Sequence, residues 1–429
     1  MVNRRRFLQG AGGLFSMAAL GRSGRAFAGG TEKHLIVIHA RGGWDVTYGL
    51  DPKLGSANVE GPELDENSNN PEDVEAVQTF GGIPIVVNDE KRPAVSSFFT
   101  NWSDQCVLVN GIWVGSVAHD ACTVRMMTGT RVETNPDMGV MAGVALGSDR
   151  PIPLMDLGGG GFAGPYAAFT GRVGAKQQLR LLLRRQTVVQ GPGLAAYNYP
   201  LFVPGTTDES NIQGYLAARA ARFQTARGAG ERSERQMADY FESLDRQQQL
   251  LAEGDDFAST LSFGTSASLS GMSDTAVDLI SSGLSHSILL EGGSGWDTHD
   301  DNSDQHAQYE SLFSGLDALM DALTTAGLLD STVVVVMSEM TRTPKRNSDG
   351  GKDHWPVTSA MVLGGGVTGG RVLGGTSDTL DSLPVDLATG ELDDAGRTIG
   401  YDHFAAGVLE FVGVDPTEWL PDAEVLRGF

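Results

Sequence analysis

The chain has 429 residues, 40% of them hydrophobic, and a formal net charge of −23 at pH 7. This length suffices for one large domain or two ordinary domains with a substantial core. The acidity argues against nucleic acid and anionic membrane as partners, because both carry negative charge themselves. The 2 cysteines are too few for a disulfide framework or a cysteine-based zinc site.

The first 28 residues have the features of an export signal. Arg4 and Arg5 precede a mildly apolar stretch, and a small-x-small tripeptide at 26–28 closes it. Paired arginines select the twin-arginine (Tat) pathway, and the tripeptide is typical of a cleavage site. The apolar stretch is too short to span a bilayer. We therefore expect a folded domain over 29–429, located in the periplasm or outside the cell and without a transmembrane segment.

Short apolar runs alternate with helical periodicity along most of the chain. Runs typical of strands occur at 33–40, 83–87, 106–110, 152–157, 287–290, 332–337, 359–363 and 371–373. Helical patterns occur at 93–102, 119–129, 304–326 and 402–412. This alternation predicts an α/β fold with a doubly wound, mostly parallel sheet covered by helices on both faces. The runs at 33–39 and 333–337 should be parallel strands of that sheet.

Two further features concern the middle of the chain and the cysteines. The region 177–285 contains a stretch rich in Arg, Gln and Glu with helical periodicity, which predicts a peripheral helical insertion over the sheet. Cys106 and Cys122 lie in a strand-like and a helix-like run, which indicates buried thiols. A single disulfide between them is the alternative in an oxidising compartment.

Polar side chains follow several separate strand-like runs. They are Asp45, Asp297 with His299, Glu339 and His354. The carboxyl ends of parallel strands meet at one edge of an open α/β sheet, and ligands bind beyond that edge. Carboxylates and imidazoles converging there suit a divalent cation such as Zn, Mn, Mg or Ca. The sequence therefore predicts that these side chains share one metal-binding pocket.

Each position also has a purely structural interpretation. An Asp after a strand is often a helix cap, which is an alternative for Asp297. Glu339 has a nearby partner in Arg342, and His354 is equally compatible with a surface position. Convergence of the four separated positions in space is what distinguishes the two interpretations.

Several segments resemble a bacterial family known as domain of unknown function 1501. They are LIVIHARGGWD (35–45), AHDACTVRMMTG (118–129), GGSGWDTH (292–299) and the block 333–370 with its SE-x-x-RTP motif. That family usually carries Tat signals and is grouped with the alkaline phosphatase and sulfatase superfamily. The resemblance implies an alkaline-phosphatase-like core whose metal ligands correspond here to Asp45, Asp297 with His299, Glu339 and His354.

The chain departs from the superfamily pattern at informative positions. Glu339 stands where alkaline phosphatases have Asp-His, and Asp297 and His299 are separated by one residue instead of three. The resemblance implies a Ser or Thr nucleophile at the start of the helical segment 119–129, but 118–120 contains neither. His119 is therefore expected to orient the substrate or move a proton, and Arg342 to hold an anionic group.

The sequence leaves two functions open. One is an exported metal-dependent hydrolase of phosphate or sulfate esters, acting on an anionic small molecule through a metal-activated water. The other is a catalytically silent cell-envelope protein that kept the fold in order to bind a partner protein or glycan. The retained acids and imidazoles favour a bound metal, whereas the missing nucleophile favours the silent protein.

Overall fold

The computed structural model describes residues 33–65, 73–172, 205–226, 231–260 and 268–429. The export signal predicted at 1–28 lies outside these residues. None of the described helices is long and apolar enough to cross a membrane. The strands of the central sheet are β1 (His34–His39), β4 (Cys106–Trp113), β5 (Leu154–Asp156), β6 (Thr170–Arg172), β7 (Ser287–Glu291), β8 (Thr332–Met337), β11 (Val357–Gly364) and β12 (Arg371–Gly374).

The remaining described elements are helices and short strand pairs. The helices are α1 (Pro93–Trp102), α2 (His119–Thr128), α3 (Met138–Leu146), α4 (Thr206–Ala226), α5 (Glu231–Thr260), α6 (Leu269–Ser281), α7 (Gln305–Thr325) and α8 (Tyr401–Val412). The strand pairs are β2 (Ala76–Phe80) with β3 (Ile83–Val87), β9 (Thr341–Arg342) with β10 (His354–Trp355), and β13 (Pro384–Val385) with β14 (Arg397–Thr398).

The central sheet has the strand order β12-β4-β11-β8-β1-β7-β5-β6. β1 pairs in parallel with β8 on one side and β7 on the other, and β11 runs antiparallel to its neighbours β8 and β4. Both faces of the central strands are buried, which is why β1 and β8 are continuous apolar runs. The predicted mostly parallel α/β sheet is confirmed, including the parallel pairing of 33–39 with 333–337.

Helices cover both faces of the sheet. Successive residues of a strand point to opposite faces, so Ile36 of β1 belongs to one core and Leu35 to the other. The first core includes side chains of α1, α6 and α7, and the second includes side chains of α2, α3 and α8. The sheet is therefore held between two helical layers, as the alternating pattern predicts.

Two regions differ in detail from the sequence interpretation. The run 83–87 forms a strand, but it pairs with β2 in a separate hairpin because neither strand reaches the central sheet. Within 177–285 the structure describes α4, α5 and α6. α6 contributes Leu269 and Met272 to the first core, and the boundaries of the helical insertion stay a prediction. Cys106 and Cys122 are buried free thiols, so the alternative disulfide is wrong.

Candidate metal centre

The loops at the carboxyl edge of the sheet are packed closely together. After β1 the chain turns through Gly42 and Gly43, which have φ values of 125° and 81°. A β-carbon on Gly42 would lie 2.8 Å from the backbone nitrogen of Asp297. Glycine is therefore required at this position both for its backbone conformation and for the close approach of the loop after β7.

Three imidazoles converge on one carboxylate at this edge. His299 Nε2 lies 3.1 Å from Asp297 Oδ1, and His354 Nε2 lies 3.2 Å from the same oxygen. His119, the first residue of α2, places its Nε2 3.3 Å from Asp297 Oδ2. Three separate elements, the loop after β7, the start of α2 and the start of β10, thus deliver side chains to one point.

The second nitrogen of each ring is bound to an oxygen. His119 Nδ1 lies 2.8 Å from Glu339 Oε1, His354 Nδ1 lies 2.8 Å from the carbonyl oxygen of Val117, and His299 Nδ1 lies 3.1 Å from Asp353 Oδ1. These acceptors place the ring proton on Nδ1 and leave the Nε2 lone pair directed at Asp297. Such carboxylate or carbonyl partners are typical of histidines that bind a metal ion.

Glu339 contacts the cluster through a hydrogen bond with His119. Its side chain is fully buried. Its Oε1 accepts from the backbone of Gly42 and from His119, and its Oε2 accepts from Ser338 and lies 3.1 Å from His39 Nε2. Both oxygens thus have partners, and Glu339 is placed to orient His119; its role as a metal ligand stays a prediction.

The pKa values of this pair follow from their contact. Burial by itself raises the pKa of Glu339, but the hydrogen bonds with His119 and His39 outweigh it and hold the pKa well below its usual range. The hydrogen bond with Glu339 raises the pKa of His119 above its ordinary value. Glu339 is therefore a permanent anion beside His119.

Asp45 is not brought into this cluster. Its Oδ1 accepts from the backbone and hydroxyl of Thr47, and its Oδ2 lies 2.8 Å from Asn302 Nδ2 and 2.7 Å from Lys352 Nζ. The side chains of Asp45 and Lys352 are both 0% exposed. The predicted metal ligand is thus the anion of a buried ion pair, which the sequence could not indicate because Lys352 is 307 residues further along the chain.

Arg342 is a structural residue in this geometry. Its guanidinium donates to the carbonyl oxygens of Gly42, Gly43 and Lys352, and it donates to Asp297 Oδ1 at 2.7 Å. Burial raises the pKa of Asp297, but the hydrogen bond and charge of Arg342 outweigh it and the pKa is lowered. These contacts fix Asp297, and the expected role of Arg342 in binding an anionic group stays a prediction.

The donor set fits a divalent metal ion. One ligand atom each from His119, Asp297 and His354 lies within 4.8 Å of the others, and His299 Nε2 is 2.8 Å from His354 Nε2. Two imidazole lone pairs this close repel each other unless a proton or a cation lies between them. A set of imidazole nitrogens with one carboxylate oxygen matches Zn and related transition metals better than the oxygen-only sites of Ca or Mg.

Three contributors were missed from the sequence. His39, the last residue of β1, flanks Glu339, and Asp353 binds His299. The third is the carbonyl oxygen of Val117, which carries no sequence signal at all. The Asp353-His354 dipeptide was a usable signal, because a carboxylate next to a ligand histidine is well placed to bind a neighbouring ligand.

A cavity of ≈ 480 Å³ lies beside the cluster. Asp353 lines it and also binds His299, so the cavity adjoins the metal-binding side chains. Its other lining residues are Asn58, Thr343, Pro344, Lys345, Arg346, Asn347, Trp355 and Thr379. A cavity of this volume accommodates a small organic molecule.

The fold and the cluster define an α/β protein with a histidine-rich candidate metal centre at the carboxyl edge of its sheet. Residues 275–389 match the profile of the family described as "Protein of unknown function (DUF1501)". The match includes Asp297, His299, Glu339 and His354, and it confirms over this segment the family resemblance found in the sequence. A search of curated proteins gave no match.

Several solved structures are similar to the chain. A protein in the alkaline phosphatase superfamily from Vibrio parahaemolyticus is 10% identical, with a TM-score of 0.42 over 95% of this chain and 73% of that chain. The PsFucS1 sulfatase from Pseudoalteromonas sp. is 11% identical, with a TM-score of 0.36 over 100% and 75% of the two chains. The phosphonate monoester hydrolase SpPMH from Silicibacter pomeroyi is 10% identical, with a TM-score of 0.35 over 92% and 76%.

Proposed function

We propose that this chain is an exported metal-dependent hydrolase of phosphate or sulfate esters. The observation that carries the proposal is the arrangement of three histidines around Asp297, each with Nδ1 bound to an oxygen and Nε2 directed at the carboxylate. Export to the periplasm or the medium is the part that rests on the predicted signal at 1–28.

The chain's own residues hold and orient the metal ion. His119, Asp297 and His354 are the proposed ligands, with His299 completing a set of three nitrogens and one oxygen. We expect Zn or Mn at this site. A divalent ion supplies Lewis acidity and lowers the pKa of water at such a site.

We propose that water attacks the phosphorus or sulfur atom of the ester directly, without a covalent phospho- or sulfo-enzyme. The new bond to the water oxygen replaces the ester bond to the alcohol oxygen, and the alcohol leaves with one proton of the water. The position where the resemblance implies a Ser or Thr nucleophile is the start of α2, and there the side chain is His119. Its Nε2 lies 3.3 Å from Asp297 Oδ2, so this residue is engaged in the metal cluster. No hydroxyl is present at 118–120 to form a covalent intermediate.

The cavity beside Asp353 is the proposed site for the organic part of the ester. Lys345 lines it with about half of its side chain exposed, and its ammonium donates to the carbonyl oxygen of Ala57 and lies 3.8 Å from Glu60 Oε1. Arg346 is bound to Asp65 and forms part of the wall. Trp355 donates its indole N–H to the Leu380 carbonyl oxygen, which fixes the ring against this side of the cavity.

The alternative is a catalytically silent cell-envelope protein that binds a protein or a glycan. The absence of a nucleophile at 118–120 and the engagement of Arg342 by backbone carbonyls favour this alternative. It shares the metal centre with the hydrolase, so metal binding alone does not separate the two functions.

The test combines metal analysis with hydrolysis assays. Protein purified after export should contain a bound transition metal, and it should release phosphate or sulfate from the p-nitrophenyl esters. His119→Ala should abolish both properties, whereas His34→Asn, at the opposite end of β1, should change neither. A metal-containing protein that hydrolyses neither ester supports the silent alternative, and a protein that binds no divalent ion contradicts the hydrolase.

A further inference from the structure

An exposed apolar surface lies beside the proposed metal ligands. Trp113, the last residue of β4, is 45% exposed, and Val117 is 49% exposed. Val117 lies two residues before His119, and its carbonyl oxygen is 2.8 Å from His354 Nδ1. The backbone of Val117 thus adjoins two proposed ligands while its side chain is in contact with solvent.

Trp113 and Val117 belong to one continuous surface, which we call the apolar rim. Gly115 between them has a φ of 70°, and a β-carbon there would lie 3.0 Å from Trp113 Nε1. The indole ring therefore lies against Gly115, on the segment that leads to Val117. The backbone N–H of Val114 donates to the carbonyl oxygen of Pro356 at 2.9 Å, which fixes this segment beside β11.

The apolar rim and the cavity lie on opposite sides of the segment that carries His354. Successive side chains of an extended segment point to opposite sides. Asp353 and Trp355 line the cavity, whereas the Nδ1 of His354 between them meets the carbonyl oxygen of Val117. The proposed ligands therefore lie between two surfaces, and each surface has room for an organic group.

The exposed charges around the centre favour a substrate with one negative charge. The side chain of Asp297 is 44% exposed and that of Asp353 is 62% exposed, and Asp120 follows His119 at the exposed start of α2. Arg41, two residues after β1, is exposed and has no hydrogen-bond or ion-pair partner among the residues that the structure describes. The carboxylates repel a dianionic ester more strongly than a monoanionic ester.

A bound divalent ion does not remove this preference. Together with Arg41 and Arg342, a divalent ion supplies four positive charges. The nearby carboxylates supply four negative charges, and they are Asp120, Asp297, Glu339 and Asp353. From this balance, a monoanionic ester adds one uncompensated negative charge and a dianionic ester adds two.

We infer that the ester is a phosphodiester whose two organic groups lie in the cavity and on the apolar rim. This inference rests on the proposed function and specifies its substrate class. A phosphodiester has one negative charge and two organic groups, whereas a phosphate monoester has a second ionisable oxygen and a sulfate monoester has one organic group. Water forms a bond to phosphorus as the bond to one alcohol oxygen breaks. That alcohol leaves with one proton of the water, and the other proton stays on the phosphate monoester product.

The first measurement compares substrates that share one leaving group and differ in charge. The full exported chain, loaded with Zn²⁺, is assayed with phenyl p-nitrophenyl phosphate, p-nitrophenyl phosphate and p-nitrophenyl sulfate. We expect kcat/KM for the diester to be at least about tenfold above the values for both monoesters. A diester hydrolysed no faster than either monoester would overturn the inference. A protein that hydrolyses none of the three esters contradicts the proposed function instead, which distinguishes the two failures.

The second measurement isolates the apolar rim. Methyl p-nitrophenyl phosphate has the charge and leaving group of the phenyl diester but no ring to cover the rim, so its kcat/KM should be about tenfold lower in the wild type. Trp113→Ala should reduce this difference to about twofold, through KM and not through kcat. Val77→Ala, at a 48% exposed position in the separate hairpin of β2 and β3, should retain the difference. Equal kcat/KM values for the two diesters in the wild type, or an unchanged difference in Trp113→Ala, would overturn the assignment of the rim.

Val117→Lys keeps the test decisive if Trp113→Ala does not fold. It adds a cation at an exposed position, so it should raise kcat/KM for p-nitrophenyl phosphate relative to the phenyl diester by about threefold or more. Binding is measured separately by calorimetry. Diphenyl phosphate should bind the wild type about tenfold more tightly than phenyl phosphate, and this ratio should fall in Val117→Lys. Unchanged ratios in a folded Val117→Lys protein would overturn the inference.

Discussion

Asp297 and Asp45 follow neighbouring strands of one sheet, β7 and β1, yet their surroundings are opposite. Asp297 is 44% exposed and is surrounded by the Nε2 atoms of three histidines. Asp45 is 0% exposed and is bound by an ammonium, an amide, a hydroxyl and a backbone N–H. The same position after a strand thus produces a candidate ligand in one case and a counterion in the other.

The difference shows which property makes a carboxylate available to a metal. Asp297 lies among groups with lone pairs directed toward it, so a cation is the missing partner. Asp45 lies among hydrogen-bond donors, so its charge is already compensated. The type of partner therefore decides the role of each carboxylate, and the partners come from distant parts of the chain.

The largest expected effect is on stability when Lys352 is replaced. Lys352→Met should lower the free energy of unfolding by about 3–5 kcal/mol, because it leaves the buried carboxylate of Asp45 without its cation. Urea unfolding monitored by circular dichroism measures this loss. Adding Asp45→Asn should recover most of the stability. If Lys352→Met alone is as stable as the wild type, Lys352 does not compensate the charge of Asp45.

The corresponding change at Asp297 should affect metal binding more than folding. Asp297→Asn is expected to weaken the binding of Zn²⁺ by about 100-fold or more. Removing a residue that only hydrogen-bonds a ligand already weakens metal binding by up to about this factor. Its unfolding free energy should fall by less than that of Lys352→Met, because the carbonyl oxygens of Gly43 and Lys352 still accept from the buried guanidinium of Arg342. Asp301→Asn, in the same loop, is the control. Equal affinities for Zn²⁺ in the wild type, Asp297→Asn and Asp301→Asn would show that the metal binds elsewhere.

A smaller effect is expected for the two carboxylates that orient the histidines. Glu339→Gln should weaken metal binding by about 10- to 100-fold, because an amide no longer fixes the proton on His119 Nδ1. Asp353 has a side chain that is 62% exposed, so Asp353→Asn should weaken binding by only about threefold. Calorimetric titration measures the metal affinity of both variants. A larger loss of affinity in Asp353→Asn than in Glu339→Gln would contradict the roles assigned to the two carboxylates.

The smallest effect concerns the buried carboxyl of Asp137. Burial raises the pKa of Asp137 to about 6, and its oxygens accept from the backbone of Val140 and Phe162. A carboxyl with a raised pKa in the folded state holds its proton longer than in the unfolded chain. Its contribution to stability is therefore present at low pH and declines between about pH 4 and pH 6.

Asp137→Asn should remove this decline. Unfolding free energies measured across the pH range should differ between wild type and variant by an amount that changes between about pH 4 and 6 and is constant above. Asp149→Asn, at an exposed carboxylate, provides the baseline. A pH-independent difference for Asp137→Asn would show that this carboxyl titrates normally.

The sequence by itself determined the sheet and the region of the site. Continuous β-branched runs at 33–39 and 333–337 can be buried on both faces only in a covered parallel sheet, and the structure pairs them. Because parallel strands end at one edge, the polar residues that follow them had to lie near each other. Asp297, His299, Glu339 and His354 accordingly belong to one hydrogen-bonded network.

Only the tertiary structure decided what each of these residues does. Whether a carboxylate binds an ion, orients a histidine or neutralises a lysine depends on donors within about 3 Å, and these come from segments hundreds of residues apart. Lys352 defines the role of Asp45, His119 and His39 define that of Glu339, and Arg342 defines that of Asp297. Local periodicity does not encode such pairings, because each is fixed by the packing of loops across the sheet edge.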